Sequence, residues 1–394
     1  MRALAVLLAF AAAMGWRADA GTAEPGGSYG ENASQAEQTS DLLARARALH
    51  KQMPLIDGHN DYPWALKEAN AERDLNKLDI RMPQPKLHTD IPRLRAGGVG
   101  GQFWSVYVPA DMQGSSAVRA TLEQIDVVHR MVRKYPDTFE LARTAADVER
   151  IFKTGRIASL IGMEGGHSID NSLATLRMFE AAGARYMTLT HSTNVRWADS
   201  GTDKPKLGGL SKFGEEVVRE MNRLGMLVDL SHTSPDTMLD AIRVSEAPII
   251  FSHSDARALN DHGRNVPDDV LKLLRTNGGI VMVTFVPGFL TPTGKATLGD
   301  VANHMDYVRK VAGADHVGIG SDFDGIQSVP VGLEDVSKYP ALTAELLRRG
   351  WPEEDIRKAL GLNVLRVMRR AEEVGARLQK EREPSAATIE QLDR

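Results

Sequence analysis

The chain has 394 residues, 42% hydrophobic and 25% charged, with 35 Gly and 18 Pro, an ordinary globular composition long enough for one large α/β domain or two smaller ones. A formal net charge of −4 without a basic block argues against nucleic acid or an anionic membrane as the main partner. Cysteine is absent, which excludes a thiol nucleophile, an iron–sulfur cluster, a thiolate zinc site and disulfides.

At the N-terminus, Met1-Arg2 is a minimal basic start and Ala3 to Met14 an apolar stretch too short to span a bilayer. Ala18-Asp19-Ala20 then gives a small-x-small cleavage pattern. Residues 1–20 are therefore expected to be a secretory signal peptide cut near Ala20, with a membrane anchor as the alternative. No later stretch approaches the roughly 20 apolar residues of a spanning helix, and no hydrophobic lipid-anchor signal follows Glu390. The expectation is a periplasmic or secreted protein without a stable membrane anchor. Residues 21–38 read as a flexible linker of Gly, Ala, Glu, Ser and Gln.

Ser40 is placed to cap a helical pattern carrying Leu42, Leu43, Ala46 and Leu49. Eight apolar runs follow: 54–61, 99–108, 157–165, 185–191, 226–232, 248–253, 279–285 and 316–323. Amphipathic helical patterns separate them, such as Val118 to Val132 behind Ser116 and Phe213 to Leu224 behind Ser211. Near-continuous apolar strands alternating with helices imply a parallel sheet covered on both faces. Eight such units predict a (β/α)₈ barrel over residues 39–380, followed by a mobile polar tail over 381–394. A doubly wound sheet is the runner-up. It lacks its phosphate fingerprint, because Phe103 and Phe323 stand where a third glycine would follow Gly98-Val99-Gly100 and Gly318-Ile319-Gly320.

Nearly every run ends in ionisable residues: His59 and Asp61, Glu164, His191, His232, His253 and Asp322. In a (β/α)₈ barrel these ends share one mouth, so groups far apart in sequence converge. Buried there, they are costly unless paired or coordinated. His59 and Asp61, two apart on a strand, share a face and can bind one ion. Glu164 has two oxygens and can bridge two ions, and His232 and His253 end successive runs. These five nitrogen and oxygen ligands, without sulfur, suit zinc, with manganese, cobalt or iron as alternatives, in a two-metal hydrolase. Asp322 is placed to move a proton and His191 to donate to a developing oxyanion, or else to serve as a supporting hydrogen-bond partner. Arg264, in Gly263-Arg264-Asn265-Val266-Pro267, can fork onto a substrate carboxylate, although a loop arginine is solvated by default. Asp324 is a candidate for a substrate amine or for loop support, and Trp64, Trp104 and Trp197 for pocket wall or core. No Gly-x-Ser-x-Gly elbow marks a serine hydrolase.

Several stretches together resemble the membrane (renal-type) dipeptidase family of binuclear zinc peptidases in the amidohydrolase superfamily. They are Asp57-Gly58-His59-Asn60-Asp61, Gly162-Met163-Glu164-Gly165-Gly166-His167, Leu189-Thr190-His191-Ser192-Thr193-Asn194, Asp229-Leu230-Ser231-His232, Phe251-Ser252-His253-Ser254, Arg264-Asn265-Val266-Pro267-Asp268 and Gly320-Ser321-Asp322-Phe323-Asp324-Gly325. They run in order over nearly the whole chain after the leader. The resemblance implies a metal-dependent dipeptidase acting through a hydroxide on a pair of zinc ions. In that reading His59, Asp61 and Glu164 hold one ion and Glu164, His232 and His253 the other. It further implies His191 near the scissile carbonyl, Arg264 on the dipeptide carboxylate and Asp322 as proton shuttle. Without cysteine, covalent dimerisation is not inherited, which leaves a non-covalent homodimer. Where some members carry a Tyr after the Phe of the seventh run, Phe285 is followed by Val286. N-acyl-amino-acid deacylation, cyclic-amide opening and a non-catalytic binding protein are the alternative functions.

Overall fold

The apolar runs form parallel strands in this computed structural model, which describes residues 28–394, with side chains from residue 37 apart from residues 70 and 71. The expected signal peptide and residues 21–27 of the expected linker lie outside the described residues. Residues 41–394 make up one compact unit. A helix occupies Ser28–Gln52, so Ser40 stands inside it and not at its start.

The strands are β1 (Leu55–Asn60), β2 (Val99–Tyr107), β3 (Phe139–Leu141), β4 (Ile157–Glu164), β5 (Ala184–Thr188), β6 (Leu227–Asp229), β7 (Ile250–Phe251), β8 (Ile280–Val283) and β9 (Val317–Ile319). Their order is β2-β1-β9-β8-β7-β6-β5-β4, and a pairing of β2 with β4 closes the ring of eight. The fold is thus a (β/α)₈ barrel. β3 is an addition that the apolar runs did not announce. It pairs only with Ile157 to Ser159 at the start of β4, before β5 joins at Ile161.

Strand periodicity sorts the apolar side chains into two populations. Ile56, Phe103, Leu160, Tyr186, Ile250 and Met282 belong to one buried cluster. Their chain neighbours Leu55, Trp104, Ile161, Met187, Phe251 and Val281 belong to another, and both clusters take in residues of the surrounding helices. Both populations are needed because every barrel strand is covered inside and out.

Ser211 caps the helix Lys212–Leu224 as expected, its hydroxyl accepting from the Gly214 N–H. The helix Ser115–Lys134 begins two residues earlier than a cap at Ser116 suggests, behind Gly114 at the positive φ of +63°. The C-terminal tail, expected to be polar and mobile, carries structure of its own. After the helix Asn363–Glu381 the chain forms a further turn at Ile389–Leu392. Ile389 is buried, and the Asp393 carboxylate accepts from Ser211 Oγ and from the Phe213 N–H. An anion at a helix N-terminus and one apolar anchor hold this segment. Among the described residues no helix is long and apolar enough to cross a membrane.

Candidate active site

The strand-end side chains meet at the C-terminal mouth of the barrel. Glu164, the last residue of β4, sits at their centre and divides its two oxygens. Oε2 lies 3.3 Å from His59 Nε2, which is itself 3.3 Å from Asp61 Oδ2. Oε1 lies 3.0, 3.5 and 3.6 Å from the Nε2 atoms of His232, His253 and His191. The Ser105 hydroxyl donates to Oε2 (3.1 Å) and fixes the carboxylate's rotation.

Two of the imidazoles are turned by partners on their far side. The Tyr186 hydroxyl donates to the Gly58 carbonyl (3.1 Å), so it accepts from His59 Nδ1 (2.8 Å) and leaves Nε2 bare toward the carboxylates. Ser252 Oγ donates to Asp229 Oδ2 (2.6 Å) and accepts from His253 Nδ1 (2.8 Å), again leaving Nε2 bare. His253 Nε2 and His232 Nε2 then face each other at 3.0 Å, while His59 Nε2 is buried without a hydrogen-bond partner. Inward-pointing lone pairs on rings held from behind are the arrangement of metal-ligating histidines. Burial pushes the pKa of His232 and His253 well below the usual imidazole value, which favours the neutral form that ligates. The donor set fits a divalent cation with nitrogen and oxygen preference.

Ligand atoms within 4.8 Å of one another form three groups: His59, Glu164 and His253; Glu164, His191 and His232; and His59, Asp61 and Asp322. Geometry alone therefore groups His191 with Glu164 and His232, and Asp322 with His59 and Asp61, among the five expected ligands. Burial and the neighbouring Asp61 push the Asp322 carboxyl well above the ordinary carboxylate range. Burial lowers His191. Asp322 and His232 both hold left-handed backbone, at φ +66° and +69°, a conformation that costs about 1 kcal/mol in a non-glycine residue and clusters at functional sites. Beneath them Asp57 accepts from the Ser321 N–H (2.8 Å) and hydroxyl (2.7 Å), from Gln102 (2.9 Å) and from the Tyr339 hydroxyl (2.8 Å). This buried carboxylate locks the end of β1 to the turn that carries Asp322.

Above the cluster lies a cavity of about 330 Å³. Arg264 forms one wall. It is not a solvated loop arginine but 2% exposed, its guanidinium donating to the His253 carbonyl (3.0 Å) and Ser254 Oγ (3.3 Å) and packed 5.2 Å from the Phe289 ring. Val286, Phe289 and Ile326 supply apolar surface, and Trp64, Glu68 and Tyr107 close the β1–β2 side. A larger groove of about 410 Å³ beside the helix Leu298–Ala312 contains none of the strand-end groups.

The membrane dipeptidase model, peptidase family M19, matches residues 43–382. The chain belongs to that family. It is accordingly a metal-binding hydrolase of the metallo-dipeptidase type. It is 47% identical over 352 residues to Dipeptidase verJ of Clonostachys rogersoniana, covering 86% of this chain and 90% of the relative. To Dipeptidase 3 of Rattus norvegicus it is 47% identical over 340 residues, 84% and 68% of the two chains. Among solved structures it resembles a metallopeptidase from Rhodobacter sphaeroides, bound to a phosphinate mimic of the dipeptide L-Ala-D-Ala. There the TM-score is 0.75 at 29% identity, over 81% of this chain and 99% of the other. The dipeptidase AC of the same peptidase family gives a TM-score of 0.75 at 30% identity, covering 81% of this chain and 98% of that one.

All eight residues singled out in the sequence of this family member, Arg264 included, gather at one mouth. Of the tryptophans, Trp64 lines the cavity while Trp104 and Trp197 are buried in the core. Sequence reasoning missed the supporting shell. Tyr107 ends β2 and follows the same strand-end placement as the acids and histidines. Tyr186, Ser105 and Phe289 carry no sequence signal, since their roles depend on which side chain across the barrel they meet.

Proposed function

We propose that this chain is an exported dipeptidase, cleaving the peptide bond of dipeptides with a pair of zinc ions that share Glu164. The observation that carries this reading is the division of the Glu164 carboxylate, one oxygen toward His59 and Asp61 and the other toward His232 and His253. In it His59, Asp61 and Glu164 hold one ion, and Glu164, His232 and His253 the other. When bound, such ions supply Lewis acidity at the scissile carbonyl and a water acidic enough to attack at neutral pH.

The remaining work falls to the chain. Asp322, buried beside Asp61, takes the proton released by the attacking water at a carboxylate oxygen and passes it to the departing amine. His191 Nε2 faces the cavity beside Glu164 Oε1 and donates to the oxygen that gains charge as the carbonyl becomes tetrahedral. Arg264 receives the substrate's C-terminal carboxylate as a rigid, permanently charged fork. The phosphinate dipeptide mimic on the Rhodobacter sphaeroides relative supports this choice of substrate class. Export rests on the leader pattern of residues 1–20.

The test takes protein purified from the exported fraction. Intact mass should place its first residue at Gly21, elemental analysis should find about two zinc ions per chain, and chelation should abolish dipeptide hydrolysis until zinc is restored. Full activity in verified metal-free protein, or cleavage of N-acyl amino acids in preference to dipeptides, overturns the reading.

A further inference from the structure

Asp324 is the one acid at the β9 side of the cavity that the proposed mechanism leaves without a task. It lines the cavity with Asp61 and Asp322, yet its side chain is only 1% exposed. Its placement is built from a distant part of the chain. Asp324 Oδ1 accepts from the His88 N–H (2.6 Å), and the Asp324 N–H donates back to His88 Nδ1 (3.0 Å), a reciprocal clasp between residues 236 apart. The Thr89 hydroxyl, which accepts from Asn60 Nδ2 (2.8 Å), also leans on this carboxylate. The backbone at Asp324 is left-handed, φ +65°, a conformation that aspartate tolerates at some cost. Oδ1 is thus taken by the His88 N–H, and apart from the leaning Thr89 hydroxyl the buried Oδ2 has no hydrogen bond of ordinary geometry. An unpartnered buried carboxylate oxygen is unfavourable, and a donor arriving in the cavity would relieve it.

The chemistry of that donor follows from the rest of the wall. Arg264 enters from the loop after β7 and Asp324 from the turn after β9, with the apolar Val286 and Phe289 of the β8 loop between them. Among the described residues the cavity thus offers the Arg264 cation and, two strands further round, an acid with acceptor capacity left over, while its other unused acid, Glu68, lies on the opposite β1–β2 side. A dipeptide carries the complementary pair at its two ends. We propose that Asp324 Oδ2 holds the α-ammonium of the substrate's N-terminal residue, so that the enzyme reads both ends of its substrate. The inference rests on the dipeptidase reading above and narrows it to dipeptides with an unblocked amine.

The experiment compares alanyl-alanine with propionyl-alanine, the same molecule without its amine, on wild type and on Asp324→Asn. Asparagine keeps the size of the side chain and the acceptor for His88. Wild type should prefer alanyl-alanine by roughly ten- to a hundredfold in kcat/KM, with most of the difference in KM. Removing the amine and substituting Asp324 delete one contact, so the two losses combined should little exceed either alone. Zinc content should be the same in both proteins. Equal losses from Asp324→Asn on both substrates would reduce Asp324 to a structural support, and no loss on either would remove it from recognition altogether. A wild type indifferent to the amine overturns the inference without any variant, so a poorly folding Asp324→Asn does not shelter it. A wild type that cleaves neither compound, nor any other dipeptide, defeats the dipeptidase reading itself, and the anchor falls with it.

Discussion

At Gly325 a Cβ would stand 2.3 Å from Asp61 Oδ2 and 2.5 Å from Asp322 Oδ1, closer than real contacts allow. The absence of a side chain is what lets two carboxylates approach the same turn. Gly325→Ala should therefore displace both, lowering metal content and cutting kcat by at least tenfold while the melting temperature changes little. Unchanged zinc and kcat would show that the carboxylates can move aside at no cost. Asp322→Asn makes the complementary case, since it alters a proton carrier without moving it. Zinc should stay bound and kcat fall by roughly 10²–10⁴-fold, and a variant near wild-type kcat would reassign the role. Arg264 is tested through its ligand. Amidating the dipeptide carboxylate and Arg264→Ala should each cost about tenfold to a few hundredfold in kcat/KM, and together little more than either alone. Equal penalties for amidation in both proteins would mean that Arg264 does not read the carboxylate. These residues were legible beforehand because an ionisable side chain ending an apolar strand has few reasons to be there. The clasp between His88 and Asp324 was not, because no local pattern links residues so far apart.

At the scale of elements, hydrophobic periodicity located all eight barrel strands, since burial on both faces leaves an apolar run that composition cannot disguise. It failed where an element owes its position to a few polar contacts. β3 is three residues long, too short to show a period. The C-terminal segment reads as solvent-loving, yet Ile389 is buried and Asp393 sits on the N-terminus of the helix Lys212–Leu224. That helix follows the loop that carries His191, so the last residues of the chain brace the site from outside. Asp393→Ala removes a capping carboxylate and should cost about 1 kcal/mol, a fall in melting temperature of roughly 1–2 °C. The measurement is calorimetry on zinc-loaded protein, with kcat as a second readout. A melting temperature unmoved by the substitution would return the segment to the status of a loose tail.

For the whole molecule, acid acts on the buried neutral histidines as well as on the metal ligands. His50 is 4% exposed, its Nδ1 3.0 Å from the Gly97 carbonyl and its Nε2 2.8 Å from the Thr343 hydroxyl. It ties the helix Ser28–Gln52 to the helices Ile91–Gly97 and Tyr339–Arg348. Burial lowers its pKa to about 4, and burial lowers His167 to about 4 as well. In the unfolded chain both titrate near the ordinary value of about 6.5. Between those two values the unfolded state binds the proton that the folded state refuses, so stability is complete above about pH 6.5 and declines as pH falls toward 4. Each histidine can contribute about 3 kcal/mol to that decline, an upper figure for a shift of this size. The metal ligands are also acid-sensitive, which makes the wild-type curve alone ambiguous. His50→Gln resolves it, because glutamine can still donate to Gly97 but does not titrate. At about pH 7.5 the variant should be the less stable protein, and by about pH 4.5 the gap should have shifted in its favour by roughly 2–3 kcal/mol. Denaturant unfolding of both proteins at matched zinc loading measures the gap. A gap independent of pH would mean that His50 takes up its proton inside the fold as readily as in water, and the acid sensitivity would then belong to the metal site alone.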